Sequence, residues 1–336
     1  MNKQLLQKAI EEKRVSVQKH PTEELYIYNY TPSVQYEKLW DEITLNTRGL
    51  IMDSGMNVIA KPFGKFFNLE EIAPDQIPNL PFNVFEKMDG SLGILYWVND
   101  TPHIATRGSF DSEQAKAANK MLNSTYSFVI PKLEKGKTYL FEIIYPQNRI
   151  VVNYGTMEAL VLLTCIDNKT GIETLPEIGF PTVIQYSGVN DFTKLRDIEK
   201  DNAEGFVIRF SNGFRVKMKY AEYVRLHRII TGVSNVVIWE YLSQNKSLKE
   251  LLEKVPDEFY DYVKNTSNEL LSAFANVLDE CESVYKEFPT RKEAALYFMQ
   301  QKYPSILFMM LDKKSLASAI WKIVRPKYCK PFKTEI

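Results

Sequence analysis

The chain has 336 residues, 45% hydrophobic and 25% charged, which suits a globular protein with room for two domains. Forty-two basic residues offset forty-two acidic ones, so no global positive field draws in nucleic acid and any such binding must use local patches. Cys165, Cys281 and Cys329 are scattered without a CxxC pair, and His20, His103 and His227 fit no metal-ligand spacing, which argues against a disulfide framework, a zinc ribbon or a histidine metal site.

In chain order, residues 3–14 read as an amphipathic helix with Leu5, Leu6 and Ile10 on one side. Tyr26, Tyr28 and Tyr30 alternate as in a strand. Residues 47–53 form an apolar strand entered through Arg48, and Val58–Ala60 return as its hairpin partner. Lys61 to Asn68 mixes bases and aromatics in a loop. Two apolar runs, Phe82–Phe85 and Leu92–Val98, flank Lys87-Met88-Asp89-Gly90-Ser91 and read as a hairpin with the lysine at its corner. A helix is expected over 111–123, capped by Asp111 or Ser112. Strands follow at 139–145 and 158–166, and a last hairpin at 204–219. From about Tyr220 the spacing becomes helical, which places a boundary at about 220–235, with domains of 1–225 and 226–336. The charged N-terminus lacks an apolar signal region, and no run of about eighteen apolar residues occurs, so neither secretion nor a membrane partner is expected.

Several polar residues stand where they need a reason. An ordinary lysine amine, with a pKa of about 10.4, is mostly protonated at neutral pH and is no nucleophile unless its surroundings change that. Lys217 and Lys219 share one strand face and repel each other unless solvated or facing an anion such as a polyphosphate. Glu142 lies within the most apolar strand, and Glu204 opens another beside Gly205; carboxylates there suit a hydrated magnesium, which keeps waters and takes only one or two protein oxygens. Arg48 and Arg107 could hold phosphates bidentately.

Taken together, Lys87-Met88-Asp89-Gly90 resembles the KxDG nucleotidyl-lysine motif of ATP-dependent ligases and mRNA capping enzymes. Arg48-Gly49 precedes it. Phe141-Glu142-Ile143, Glu204-Gly205-Phe206-Val207 and Val216-Lys217-Met218-Lys219 resemble the later motifs in order. Lys65-Phe66-Phe67-Asn68 and the run from Glu142 through Pro146-Gln147-Asn148-Arg149-Ile150-Val151 resemble the RNA ligase 1 family of T-even bacteriophages, as does the helical rather than strand-rich segment after Lys219.

That resemblance implies an α+β fold, an ATP-grasp-like nucleotidyltransferase domain of antiparallel sheets and helices followed by an all-α domain. It implies that Lys87 carries AMP from ATP, with Mg2+ or Mn2+, to RNA with 5′-phosphate and 3′-hydroxyl ends, tRNA among the candidates. Glu86 would read the adenine edge. Arg48, Lys65 and Arg107 would bind phosphate, with Phe67 and Gly90 near the nucleotide. Lys217 and Lys219 would neutralise the α-phosphate. Glu204 would hold metal-bound water near Lys87, and Glu142 would contact the ribose or hold metal-bound water. Lys313, Lys314, Lys322, Arg325, Lys327, Lys330 and Lys333, with Trp321 and Tyr328, offer a basic aromatic region, and Arg225, His227 and Arg228 lie nearer the motifs. The expected state is a monomer in the cytoplasm, the host's if the chain is viral. A GTP-dependent capping enzyme, a DNA ligase and a non-catalytic RNA-binding protein on a ligase scaffold are the competing readings.

Overall fold

A computed structural model describes residues 1–252 and 260–327. The described chain divides into two compact units, Met1–Ile230 and Thr231–Ile336.

The first unit opens with α1 (Lys3–Glu11), capped by the Asn2 side chain. It buries Leu6 and Ala9, whereas Leu5 is 48% exposed. The expected apolar side is therefore rotated: residues three apart face the sheet, and the adjacent Leu5 faces water. β1 (Val15–Lys19), β2 (Leu25–Tyr30), β3 (Arg48–Asp53) and β4 (Val58–Ala60) form an antiparallel sheet in that order.

The remaining strands divide between two five-stranded sheets. They are β5 (Phe67–Asn68), β6 (Phe82–Lys87), β7 (Ser91–Val98), β8 (Thr101–Thr106), β9 (Lys137–Ile144), β10 (Ala159–Asp167), β11 (Glu173–Thr174), β12 (Gln185–Tyr186), β13 (Gly205–Phe210) and β14 (Arg215–Lys219). One sheet runs β11-β10-β9-β7-β8 and the other β12-β6-β13-β14-β5. The two apolar runs around Lys87 are thus not a hairpin. β6 pairs with β13 and β12, and β7 pairs with β8 and β9. The Met88-Asp89-Gly90 turn carries the chain from one sheet to the other.

The unbroken apolar runs in β7 and β9 follow from burial on both faces. Leu95, Phe141 and Ile143 pack with Ala118, Met121 and Leu122 of α2 (Glu113–Asn123), a helix capped by the Ser112 hydroxyl. Ile94, Tyr96 and Leu140 pack against Leu25, Ile27 and Ile51 of the first sheet. Val84, Phe206, Ile208, Val216 and Met218 form the core of the third sheet. One buried carboxylate ties the two five-stranded sheets together. Glu173 on β11 pairs with Arg215 on β14, and its Oε2 lies 3.7 Å from Arg209 Nε on β13. The Arg215 guanidinium also lies 4.4 Å from the centre of the Phe63 ring.

After β14 the described chain is helical: α3 (Ala221–Thr231), α4 (Asn235–Ser243), α5 (Leu248–Leu252), α6 (Tyr260–Val284), α7 (Arg291–Phe298), α8 (Pro304–Leu311) and α9 (Ala317–Ile323). Within the second unit, α6 buries Val263, Ser267, Leu270, Val277 and Cys281 at steps of three, four or seven residues, the stripe that faces a helical core. Val277 and Cys281 pack with Phe298, Ile306, Leu307 and Ile320. Tyr328, Lys330 and Lys333 of the expected basic region lie outside the described residues. Among the described residues no helix is long and apolar enough to cross a membrane.

Candidate active site

Register assembles the centre of the site. Lys87 on β6 stands opposite Gly205 on β13, and Gly205 stands opposite Lys219 on β14. The two lysines therefore flank one glycine in a row across three strands. Glu204 precedes that glycine and is 4% exposed. Its Oε2 lies 2.8 Å from Lys87 Nζ and its Oε1 lies 3.0 Å from Lys219 Nζ, so each carboxylate oxygen serves one ammonium. Gly205 takes φ +148°, and an added Cβ would lie 2.0 Å from the Met218 carbonyl oxygen. β13 thus begins on a backbone that glycine alone adopts without clash, immediately after the shared carboxylate.

Burial pushes the Glu204 pKa up, but the Lys87 and Lys219 cations outweigh it, so the group sits below the ordinary carboxylate value of 4.5. Glu142 behaves oppositely. Desolvation pushes its pKa up to about 8, with Lys87 opposing the rise and the Glu204 charge adding to it. Its Oε1 accepts the Gly90 N–H at 2.9 Å. Gly90 itself has no room for a side chain, because a Cβ would lie 2.7 Å from the Ile143 carbonyl oxygen. The close approach of turn and strand is what lets Glu142 reach the lysine turn.

Lys217, 8% exposed, lies two residues before Lys219 on the same strand and pairs in register with Val207 and Asn68. That parallel β14–β5 contact brings Phe67 beside Val216. Phe67 belongs to an aromatic group around Lys65, whose Nζ lies 5.2 Å from the Phe67 ring centre, 5.3 Å from Trp40 and 5.7 Å from Tyr30. The Arg107 guanidinium lies 5.6 Å from the other shared ring, Tyr30, and Arg48 lies 5.8 Å from Phe66. Aromatic faces hold these cations in place, and Lys65 Nζ also donates to Gln35 Oε1 at 3.0 Å. Glu86 is separate. Its carboxylate is 3.9 Å from Lys200 Nζ, and successive strand residues point to opposite faces, away from the Lys87 row.

Two further contributors, Tyr154 and Tyr223, carry no signal in the local sequence, and Asp89 carries only its place in KxDG. Asp89 is 3% exposed; its Oδ2 accepts the Val151 and Val152 N–H groups at 2.8 and 2.7 Å, and its Oδ1 accepts the Tyr223 hydroxyl at 2.8 Å. The Tyr223 ring lies 5.0 Å below Lys219 Nζ. The Tyr154 hydroxyl accepts the Asp89 N–H at 2.9 Å. The aspartate of the turn is thus a structural anchor holding the lysine against two distant segments. Only its place within KxDG could have flagged it, and nothing in the spacing flags the two tyrosines.

The donors suit one kind of metal. Among the described residues no cluster of three or more histidine, cysteine or carboxylate groups could hold an ion. Two carboxylates beside several cations fit a hard, mostly hydrated divalent ion whose other ligands come from water and phosphate.

The candidate site thus consists of a lysine that ends a strand beside an inter-sheet turn, a shared glutamate and two lysines on one neighbouring strand. The family model described as RNA ligase matches residues 46–223, and the chain belongs to that family. It is 25% identical over 381 aligned positions to an RNA ligase of Rhodothermus phage RM378, covering 86% of this chain and 85% of the relative. It is 26% identical to a protein of Autographa californica nuclear polyhedrosis virus, provisionally described as a bifunctional polynucleotide kinase/RNA ligase, covering 64% of this chain but 35% of the relative. A Thermovibrio ammonificans protein, provisionally an RNA ligase, is 30% identical over 56% of this chain and 54% of its own. The chain thus spans about a third and about half of the length of these last two relatives. Among solved structures, an apo Naegleria gruberi RNA ligase variant is 15% identical with a TM-score of 0.40, covering 50% of this chain and 60% of that one.

Proposed function

We infer that this chain is an ATP-dependent RNA ligase acting through a covalent lysyl-AMP intermediate. The observation that carries the reading is Glu204 shared between Lys87 and Lys219 in one row of the sheet. In the first step Lys87 Nζ, having lost a proton, attacks the α-phosphorus of ATP. A P–N bond forms, the P–O bond to pyrophosphate breaks, and pyrophosphate leaves. In the second, an oxygen of an RNA 5′-phosphate attacks the same phosphorus, the P–N bond breaks, and Lys87 takes a proton back. In the third, a 3′-hydroxyl attacks the activated 5′-phosphate, loses its proton, and AMP departs as the strand is sealed.

Lys217 and Lys219 stabilise charge developing on the α-phosphate, while Arg48, Lys65 and Arg107 take the outer phosphates. Mg2+ or Mn2+, when bound, adds further positive charge to the phosphates, and Glu204 and Glu142 are the residues to hold it directly or through water. Residues 1–225 are the adenylyltransferase domain, and residues 226–336 recognise the RNA, with tRNA repair as the biological setting and the cytoplasm as its place.

The test is sealing. Purified protein should join RNA carrying 5′-phosphate and 3′-hydroxyl ends with ATP and magnesium, and should do so far more slowly with GTP or with the matching DNA. Sealing that requires GTP, or that prefers DNA, would overturn the reading in favour of the capping-type or DNA-ligase alternative.

A further inference from the structure

Beside the lysine turn lies a cavity of about 160 Å3 that the steps above do not use. Its lining includes Asp89, Tyr145, Asn148, Arg149, Tyr154 and Met157. A pocket enclosing a whole small ligand is about 300–1,000 Å3, so this one takes a fragment of a longer molecule, one base or one sugar-phosphate unit. Its walls are fixed. Asn148 Nδ2 donates to the Ile143 carbonyl at 2.9 Å, while its Oδ1 accepts the Ser91 hydroxyl at 3.2 Å. Tyr154 is tied to the Asp89 N–H, and Arg149 Nε donates to the Val151 carbonyl at 3.2 Å, which orients an otherwise exposed guanidinium.

The charge is equally specific. Both oxygens of Asp89 are committed to N–H and O–H donors within the fold, so the carboxylate in the lining is held by the turn, with its charge kept, and Arg149 is the cation of the lining. Arg149 supplies a planar cation suited to phosphate, and tyrosine and methionine surfaces accept a base or ribose face. The triphosphate of ATP has its own cations in the reading above, Lys217 and Lys219 at the α-phosphate and Arg48, Lys65 and Arg107 beyond it, none of them in this lining.

We propose that this cavity is a subsite for one ribonucleotide of the RNA strand, its phosphate on Arg149 and its base or sugar against Tyr145 and Tyr154. The proposal rests on the ligase reading and names where that reaction holds its polymer. The strand held is either the 5′-phosphate end or the 3′-hydroxyl end, and the three steps separate the two.

The experiment compares the wild-type chain with Arg149→Ala, Arg149→Lys and Tyr145→Ala in single turnovers. The first arm follows lysyl-AMP formation from ATP without RNA. The second follows AMP transfer to 5′-phosphorylated RNA, and the third follows sealing of pre-adenylated RNA. Arg149→Ala should form lysyl-AMP within about twofold of wild type, and slow the second or third arm by roughly tenfold or more, recovered by higher RNA concentration. Arg149→Lys should recover part of the loss, and the slowed arm identifies the end held. An equal fall in the first arm, or no fall in any, overturns the subsite. Failure of the wild-type chain in the first arm overturns the ligase reading itself, and is told apart because it precedes any effect of Arg149.

Discussion

At the scale of single residues, Glu204 and Glu142 differ because one has two cations on it and the other has one at its edge. Glu204 has a depressed pKa in the folded state, so its contribution to stability is present above the ordinary 4.5 and is lost as pH falls through the lower folded value. Glu204→Gln should cost on the order of 3 kcal/mol at pH 7, since it leaves two part-buried ammoniums facing a neutral amide. The difference from wild type should shrink below pH 4, and urea unfolding at the two pH values checks this. Glu142 has the opposite sign. Its folded pKa is raised to about 8, so the unfolded chain gives up the proton first, and stability falls as pH rises from the ordinary 4.5 to about 8. Glu142→Gln should therefore stabilise the ligand-free protein, by on the order of 2 kcal/mol above pH 8 and little at pH 4. A flat difference across that range contradicts the assignment. At this scale much was legible. Lys87, Glu142, Glu204, Lys217 and Lys219 are odd in apolar surroundings, and the structure brings Lys87, Glu204 and Lys219 into contact. Tyr223, Tyr154 and Trp40 were not legible, because a tyrosine or tryptophan in an apolar run looks the same whether it packs a core or holds a cation.

Among elements, the reading of β6 and β7 as a hairpin shows where local pattern stops. Two apolar runs around an Asp-Gly turn look alike whether they pair with each other or with strands far away. Pairing is decided by the partners, here β13 for one and β9 for the other. The consequence is functional, since crossing between sheets is what leaves Lys87 at the end of a strand beside Gly205. Gly205→Ala should lose both the fold of this edge and adenylation, because its Cβ would meet the Met218 carbonyl oxygen at 2.0 Å. A soluble, fully active alanine variant would contradict the geometry. The Glu173–Arg215 pair binding the same two sheets was equally invisible, as its members lie in β11 and β14. Glu173→Ala should cost about 3–5 kcal/mol by leaving a buried guanidinium without its partner, seen as a lower urea midpoint at unchanged slope.

For the molecule as a whole, the change to helices after the strands was legible because strand and helix periods differ. What the helices hold was not legible, since a helical stripe reports a core and not a ligand. On the proposed reading, the equal numbers of acidic and basic residues imply that RNA would be held by a few local contacts. At about 0.7 in slope per phosphate on a single strand, the logarithm of RNA affinity should fall with the logarithm of salt with a slope of roughly −2 to −4. A much steeper slope would indicate a broad basic surface instead.

The central claim is the covalent chemistry of Lys87. Protein first cleared with pyrophosphate, then given ATP and magnesium and weighed intact, should gain one AMP, and Lys87→Ala should gain none. A wild-type chain that takes up no nucleotide, or a Lys87→Ala variant that takes up one, would contradict the account.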